Sequence, residues 1–198
     1  MPKIVNKEER RKEIALSCKE LFIEKGINAL TIAEVAKTAG IGKGTVYEYF
    51  ENKDDIIFEI VEIMVTEKDK RKEELLEKAT TTKEKIKTFF YFFYDEEYKE
   101  LRKLYKEFVS ISLVNPNEVL HCQKADKDIK YYNWFKSILE EGVNSGELKP
   151  ESLKLAKGLY ALGGGFFITH NTSNLIQNME EEMHEYIDAL FELIEVKK

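Results

Sequence analysis

The sequence predicts an all-α protein made of an N-terminal three-helix domain and a larger C-terminal helical domain. Only three prolines and ten glycines interrupt its 198 residues, whereas Glu, Lys, Leu and Ile are plentiful, a composition typical of long helices. Apolar residues also recur at spacings of three and four along most of the chain, which is the period of an amphipathic helix, and predict about nine helices. The N-terminal domain is predicted from a pair of short helices between residues 31 and 53.

Two short helices joined by a tight turn are predicted on either side of Gly40. Thr31 followed three residues later by Glu34 indicates a capping box, which marks the start of the first helix. Gly40 ends that helix, because glycine readily takes the left-handed conformation that closes helices. The second helix buries Val46 and Phe50 at a spacing of four and leaves its first residues exposed. This is the geometry of a helix-turn-helix, whose second helix can enter the major groove of DNA.

The stretch from residue 31 to residue 53, TIAEVAKTAGIGKGTVYEYFENK, resembles the signature of the TetR family of transcriptional repressors. The resemblance covers residues 7 to about 60, and beyond them it rests on the pattern of helices alone. The family usually has Ser or Thr where this chain has Gly42. The resemblance implies a DNA-binding domain at residues 1–55 and a ligand-binding and dimerisation domain at residues 56–198.

Several residues of this stretch are candidates for DNA contact. The resemblance implies that Lys43 and Lys53 contact phosphates, with further hydroxyl contacts from two tyrosines nearby. Residues at helix starts can offer a side chain or a backbone amide to a phosphate. Thr45 and Glu48 lie where base edges could be read, and the Glu48 carboxylate can accept a hydrogen bond from cytosine N4. The candidate set is Thr31, Lys43, Gly44, Thr45, Tyr47, Glu48, Tyr49 and Lys53.

The distribution of charge is compatible with DNA binding by the N-terminal domain. The whole chain carries a net charge of −6, but residues 1–55 hold ten basic and ten acidic side chains. The acidic excess therefore lies in residues 56–198. Basic residues near the N-terminus form either a solvated terminus or a contact with phosphates or the minor groove: Lys3, Lys7, Arg10, Arg11 and Lys12.

The C-terminal part is predicted to form a succession of longer helices. The first of them runs to about Lys78, and the mixed charges of its second half, EKDKRKEELLEK, suit a solvent-exposed surface. The next begins near Lys83 and contains six consecutive aromatic residues, 89–94. The remaining helices are predicted at about residues 96–114, 118–144, 151–169 and 179–196.

The aromatic residues of the C-terminal domain predict an enclosed apolar region. A helix that is aromatic on every side must be covered by protein or by a ligand, so core packing and ligand binding both remain open. The polar residues that could orient a ligand are Tyr91, Tyr94, Tyr105, Tyr131, Tyr132, Asn133 and His170. The candidates for a cavity that binds a small apolar ligand are Phe89, Phe90, Phe93, Phe108, Tyr132, Trp134, Phe135, Phe166, Phe167 and His170.

The last two helices resemble the dimerising four-helix bundle of the family. Three consecutive glycines, 163–165, cost helix stability, roughly 1 kcal/mol each relative to alanine. Close approach of the backbone to a partner or to a ligand would compensate for this cost. The candidates for the homodimer interface are Leu155, Leu159, Gly163, Gly164, Met183, Ile187, Leu190 and Ile194.

Other classes of function have little support in the sequence. A phosphate-binding P-loop is excluded, because the positions that require Gly and Ser or Thr hold Lys37 and Gly44. Cys18 and Cys122 are too far apart for a CxxC metal site, and we predict no metal, cofactor or catalytic residue. No stretch approaches the ~20 apolar residues that a membrane span needs, so a cytoplasmic protein is expected.

These patterns together predict a ligand-responsive transcriptional regulator rather than an enzyme. As the resemblance implies, it would bind a two-fold symmetric operator in double-stranded DNA as a homodimer and be released by a small apolar molecule. The alternative is a helical carrier of lipids or small molecules, or an enzyme with an apolar cavity, in which the N-terminal domain serves only for packing. Specific binding to a two-fold symmetric DNA fragment distinguishes the two.

Overall fold

The computed structural model describes residues 6–26, 29–114 and 118–197, and the side chains of residues 108, 111, 112, 114 and 118–125 lie outside this description. The predicted all-α fold is confirmed, since the described residues contain no β-strand and a single antiparallel bridge, from Leu148 to Glu195. The α-helices are α1 (Lys7–Ser17), α2 (Lys19–Lys25), α3 (Ile32–Thr38), α4 (Lys43–Tyr49), α5 (Lys53–Lys78), α6 (Thr82–Phe90), α7 (Lys99–Val114), α8 (Glu118–Asn144), α9 (Ala156–Thr172) and α10 (Met179–Ile194).

The chain separates into two compact units. The first contains the described residues up to Lys70 together with Lys103–Glu107, and the second contains Arg71–Arg102 and the described residues from 108 onward. The division therefore falls inside α5. The boundary at residue 55, which was predicted for the DNA-binding domain, stays a prediction about function.

The helix-turn-helix of the first unit forms as the sequence predicts. The Thr31 hydroxyl accepts from the Glu34 amide while the Glu34 carboxylate accepts from the Thr31 amide, which completes the capping box of α3. After α3, Gly40 takes a φ of 65°, and the Ile41 amide donates to the Ala36 carbonyl. Val46 and Phe50 are buried and fix α4 against the core of this unit.

The long helix α5 differs from its prediction in the second half. Met64, Lys68, Lys72 and Leu76, at successive spacings of four, are all buried, as is Asp69. The Lys68 ammonium lies 3.2 Å from the Asp69 carboxylate. The prediction that this second half suits a solvent-exposed surface was therefore wrong for these residues, because the buried stripe of the first half continues through charged residues.

The six consecutive aromatic residues were predicted to lie on one helix, and this prediction was wrong. The helix α6 ends at Phe90, and Tyr91–Phe93 forms a 3₁₀ turn. Arg102 stabilises this break by donating to the backbone carbonyls of Phe92, at 3.0 Å, and of Asp95. One carbonyl of the 3₁₀ turn and one just after it thus share a partner, and the break in the helix lets successive rings turn toward different neighbours.

The core of the second unit lies among α6, α8, α9 and α10. Phe135, Leu139 and Ile187 are completely buried there. A 3₁₀ turn at Pro150–Leu155 precedes α9, so this helix starts later than the predicted residue 151. No helix among the described residues is both long enough and apolar enough to cross a membrane.

Candidate nucleic-acid interface and aromatic cluster

The N-terminal half of α4 presents an exposed surface above a buried one. Lys43 and Gly44 begin the helix and are exposed, as is Glu48 on its next turn. Tyr47 is 59% exposed although it follows a fully buried Val46. Ammonium, amide and hydroxyl donors of α4 are therefore exposed to solvent. This is the helix that the sequence predicts to enter the major groove.

Three other candidates for DNA contact are less open to solvent. Thr45, Tyr49 and Lys53 are half-buried. Thr31 is exposed, but its hydroxyl and its amide both donate to the Glu34 carboxylate, at 2.7 and 3.1 Å. The hydrogen bonds of Glu34 with Lys25 and Thr31 hold the pKa of its carboxyl below the ordinary range. A phosphate contact through a Thr31 donor therefore has to compete with the capping box.

Arg11 connects three helices of the first unit. Its guanidinium donates to the Tyr49 carbonyl at 2.7 Å, to the Asp55 carboxylate at 2.5 Å and to the Glu59 carboxylate at 2.7 Å. It also lies 4.5 Å above the Phe50 ring. The hydrogen bond from Arg11 lowers the pKa of Asp55. Arg11, which was considered for the basic N-terminal arm, thus holds the end of α4 against α5.

The predicted aromatic residues of the second unit form a continuous cluster of packed rings. Phe135 is central, with ring centroids 5.1 Å from Phe89 and 5.5 Å from Phe90. Phe89 also packs edge-on against Trp134 at 5.7 Å, whereas Phe93 continues the cluster to Phe167 at 5.6 Å. Tyr160, which was not among the predicted residues, packs against both Tyr132 and Phe135 and so joins their rings.

Two of the ligand candidates lie away from this cluster. Phe166 packs against Tyr186 of α10, and His170 is exposed, with Nδ1 2.9 Å from the Ile176 carbonyl oxygen. Their assignment to the cavity stays a prediction, and on α9 both are more exposed than the buried Phe167. Phe108, a further candidate, has a side chain outside the described residues.

The cluster includes a buried lysine that sequence reasoning missed. Lys72 is only 3% exposed, and its Nζ lies 4.0 Å from the centroid of the Phe89 ring. The sequence contains a sign of this burial, because Lys72 lies at a spacing of four from residues on the buried side of α5. Steps of four from Met64 reach Lys72 and then Leu76. The charged composition of the segment concealed this sign.

The predicted dimer interface needs a correction. Leu159, Gly163, Met183, Ile187 and Ile194 are buried within a single protomer, so they are unavailable to a second copy. A Cβ at Gly163 would lie 2.7 Å from ring atoms of Phe90 and of Phe93, so the close approach at this glycine is internal. The other three candidates lie nearer the surface: Leu155 is 40% exposed, and Gly164 and Leu190 are half-buried.

Groups of metal-ligating side chains are absent from the described residues, where no three His, Cys, Asp or Glu side chains lie together. Cys18 is fully buried, and burial raises the pKa of its thiol. A raised pKa makes a thiol a poor nucleophile at neutral pH. Cys122 has a side chain outside the described residues.

Comparison with known proteins agrees with this helix-turn-helix geometry. Residues 18–60 match the model of the bacterial regulatory proteins of the tetR family. Over 144 residues the chain is 30% identical to an uncharacterized HTH-type transcriptional regulator, YhgD, of Bacillus subtilis (strain 168), a match that covers 72% of this chain and 73% of YhgD. The chain belongs to the TetR family of transcriptional regulators.

Solved structures of TetR regulators resemble the whole fold. A TetR-family regulator from Cytophaga hutchinsonii superposes with a TM-score of 0.78 at 18% identity, over 97% of this chain and 98% of that one. The regulator FadR of Bacillus subtilis, solved in complex with stearoyl-CoA, superposes with a TM-score of 0.64 at 25% identity, over 90% and 96% of the two chains. The predicted combination of a helix-turn-helix domain with a helical C-terminal domain is thus confirmed.

Proposed function

We propose that this TetR-family chain is a repressor that binds a two-fold symmetric operator as a homodimer and leaves it when a small, largely apolar molecule binds to the second unit. The observation that carries the proposal is the exposed start of α4, where Lys43 and Gly44 stand above the buried Val46 and Phe50. A helix held in this way can enter the major groove with its N-terminal residues, while Lys43 neutralises a phosphate.

A homodimer supplies the second recognition helix that a two-fold operator requires. The half-sites of such an operator are about 34 Å or a multiple apart, and one protomer provides a single α4. Exposed apolar side chains on α9 and α10 support an interface there: Ile168 is 45% exposed, Tyr186 43% and Leu193 70%. With Leu155, Gly164 and Leu190 they form the proposed dimer surface, in place of the buried residues corrected above.

The aromatic cluster supports an apolar ligand. Rings from α6, α8 and α9 meet in it, and FadR, the relative solved with stearoyl-CoA, shows that a protein of this fold can hold a molecule with a long apolar chain. Moving a regulator from about 99:1 in favour of DNA to about 1:99 requires a ligand preference of about 5.5 kcal/mol for the released state. Burial of apolar ligand surface, at about 25 cal/mol per Å², can supply this difference in binding free energy.

The direct test is nuclease protection of the DNA next to the gene for this protein. We expect one protected, two-fold symmetric segment, and protection should disappear when a ligand saturates the second unit. Failure to protect any segment of that DNA would contradict the proposal and favour the carrier alternative.

The role of Lys43 is tested through the dependence of operator affinity on salt. In Lys43→Ala, the slope of log affinity against log salt should decrease in magnitude by about one unit per half-site, since one phosphate contact is lost. Lys70→Ala is the control, because it removes an exposed lysine of α5 with the same change in net charge. An equal slope in the two variants would show that Lys43 makes no phosphate contact.

A further inference from the structure

Arg11 of α1 uses every N–H group of its guanidinium inside the first unit. Its Nη1 donates to the Tyr49 carbonyl at 2.7 Å and to the Asp55 carboxylate at 3.1 Å, while Nε donates to the Glu59 carboxylate at 2.7 Å. Its Nη2 donates to the other carboxylate oxygen of Asp55 at 2.5 Å and to the Asp55 carbonyl at 3.5 Å. We call Arg11 with these three partners the Arg11 clamp. To reach a phosphate, a guanidinium occupied in this way would have to give up one of its hydrogen bonds.

The turn between α4 and α5 is tied to the Arg11 clamp along its length. The guanidinium of Arg11 lies 4.5 Å from the centroid of the Phe50 ring, at the start of the turn. The Asp55 carboxylate accepts from the Glu51 amide at 3.0 Å, and the Asp55 amide donates to the side-chain oxygen of Asn52 at 3.0 Å. One connected set of contacts therefore fixes the end of α4, the turn and the first residues of α5.

Two candidate DNA contacts flank this turn. Tyr49 is the last residue of α4 and Lys53 is the first residue of α5. Groups that are already fixed relative to each other lose less conformational entropy when they bind together. We propose that Arg11 is a positioning residue for operator binding, which fixes the end of α4 to the start of α5 and does not itself contact DNA. This inference rests on the proposed function and deepens it, because it adds a residue that sets operator affinity without touching the operator.

The carboxylates of the clamp offer a sharp test, because positioning and simple electrostatics predict opposite signs. Glu59→Gln removes a negative charge, which by electrostatics alone should strengthen binding to DNA. It also replaces a charge-assisted partner of Arg11 with a weaker one. If Arg11 positions α4, operator affinity should therefore fall about fivefold in spite of the added positive charge. The matched control is Glu67→Gln, at an exposed glutamate of α5 that pairs with Lys19 at 3.3 Å, and its affinity should stay equal or rise.

Salt dependence separates positioning from direct contact with phosphate. Arg11→Gln should lower operator affinity about tenfold and leave the slope of log affinity against log salt unchanged, since no phosphate contact is lost. Affinities are referred to the active fraction, which is measured by stoichiometric titration with operator DNA, so partial unfolding is not counted as weaker binding. Lys19→Gln is the control, because it removes a cation that pairs with Glu67 of α5, and affinity should change less than about threefold.

Amide hydrogen exchange tests the clamp in the absence of DNA. The Phe50 amide donates to the Val46 carbonyl at 3.0 Å and closes the last turn of α4, whereas the Ala39 amide donates to the Val35 carbonyl at 2.9 Å and closes α3. In Arg11→Gln, we expect the Phe50 amide to exchange at least about tenfold faster while the Ala39 amide keeps its rate. Such a local change is the signature of a loosened α4 rather than of a less stable unit.

Three results would overturn the assignment of Arg11. They are operator binding by Glu59→Gln that is as tight as that by Glu67→Gln, a smaller salt slope in Arg11→Gln, or equal acceleration of exchange at Phe50 and Ala39. The proposed function fails separately. If the original chain bound no two-fold symmetric DNA, repression at an operator would be contradicted, while exchange at Phe50 would still decide whether the clamp fixes the end of α4.

Discussion

At the scale of single residues, one long polar side chain can connect several elements of this protein. Arg11 illustrates this in the first unit, since one guanidinium satisfies the carbonyl at the end of α4 and two carboxylates of α5. Its side chain is 21% exposed, so solvent screens these contacts only in part. The position of α4, the helix predicted to enter the major groove, therefore depends on Arg11. In the sequence, Arg11 is only one of several basic residues near the N-terminus.

Replacing Arg11 should destabilise the first unit in a pH-dependent way. Arg11→Gln should cost roughly 1–3 kcal/mol at neutral pH, because charge-assisted hydrogen bonds are lost and two carboxylates keep no guanidinium partner. The pKa of Asp55 lies below its ordinary value of 3.8 in the folded chain, so this stabilisation is present above pH 3.8 and is lost as the pH falls through the lower folded value. Denaturant titrations across this range measure both effects.

Arg10→Gln is the control for Arg11, since Arg10 is a neighbouring arginine that pairs with Glu13 at the surface. It should change the free energy of unfolding by well under 1 kcal/mol, as is usual for exposed pairs. If the two variants proved equally stable at every pH, the Arg11 contacts would contribute nothing to the fold.

At the scale of helices, two glycines of α9, Gly163 and Gly165, differ in role although a single residue separates them. Gly163 lies against Phe90 and Phe93, while a Cβ at Gly165 would meet nothing within 4 Å in the protomer. Both glycines weaken the helix equally by their own flexibility. Only Gly163 is needed for the packing of α9 on the aromatic cluster.

Alanine substitutions should separate these two glycines. Gly163→Ala should lower the free energy of unfolding by roughly 1–3 kcal/mol, because the buried Phe90 ring has to move. Gly165→Ala should raise it by up to about 1 kcal/mol, since alanine favours the helix. Thermal and denaturant unfolding report the difference. If both substitutions raised the free energy of unfolding, the rings of Phe90 and Phe93 would be able to move away from residue 163 without loss of stability.

At the scale of the whole molecule, the proposed function requires a surface that a single chain leaves uncovered. The exposed apolar residues of α9 and α10 belong to the second unit, whereas the candidate DNA contacts belong to the first. The helix α5 is continuous from Lys53 to Lys78, so the same helix carries a candidate DNA contact and the buried Lys72 of the aromatic cluster. Assembly and ligand binding are thus expected to act on operator affinity together.

A charge in the proposed dimer surface should produce monomers. Leu193→Glu buries a carboxylate in an apolar interface if the dimer forms, so the association constant should fall by at least about a hundredfold, and operator affinity should fall with it. Sedimentation measures the mass. Leu113→Glu, at an equally exposed leucine of α7, should remain dimeric. A Leu193→Glu variant that sediments as a dimer would place the interface elsewhere.

The sequence by itself determined the features that depend on local spacing. The capping box of Thr31, the glycine turn at Gly40 and the burial of Val46 and Phe50 involve residues only a few positions apart, so helix geometry fixes them. The family and the all-α class follow from the same short-range patterns. The bounds of α5 and α8 were also predictable, because both are long and periodic.

Only the tertiary structure decided which side of each helix faces which neighbour. Three features depend on residues far apart in the chain: the contact of Lys72 with the Phe89 ring, the contact of Gly163 with Phe90, and the burial of Ile187. An apolar stripe shows that a helix packs, but it cannot tell the core of one protomer from the surface between two, since both remove apolar area from water. The burial of a lysine is hidden for a related reason: its charge predicts exposure, and only tertiary contacts, such as the Phe89 ring beside Lys72 or the Asp69 carboxylate beside Lys68, can override that preference.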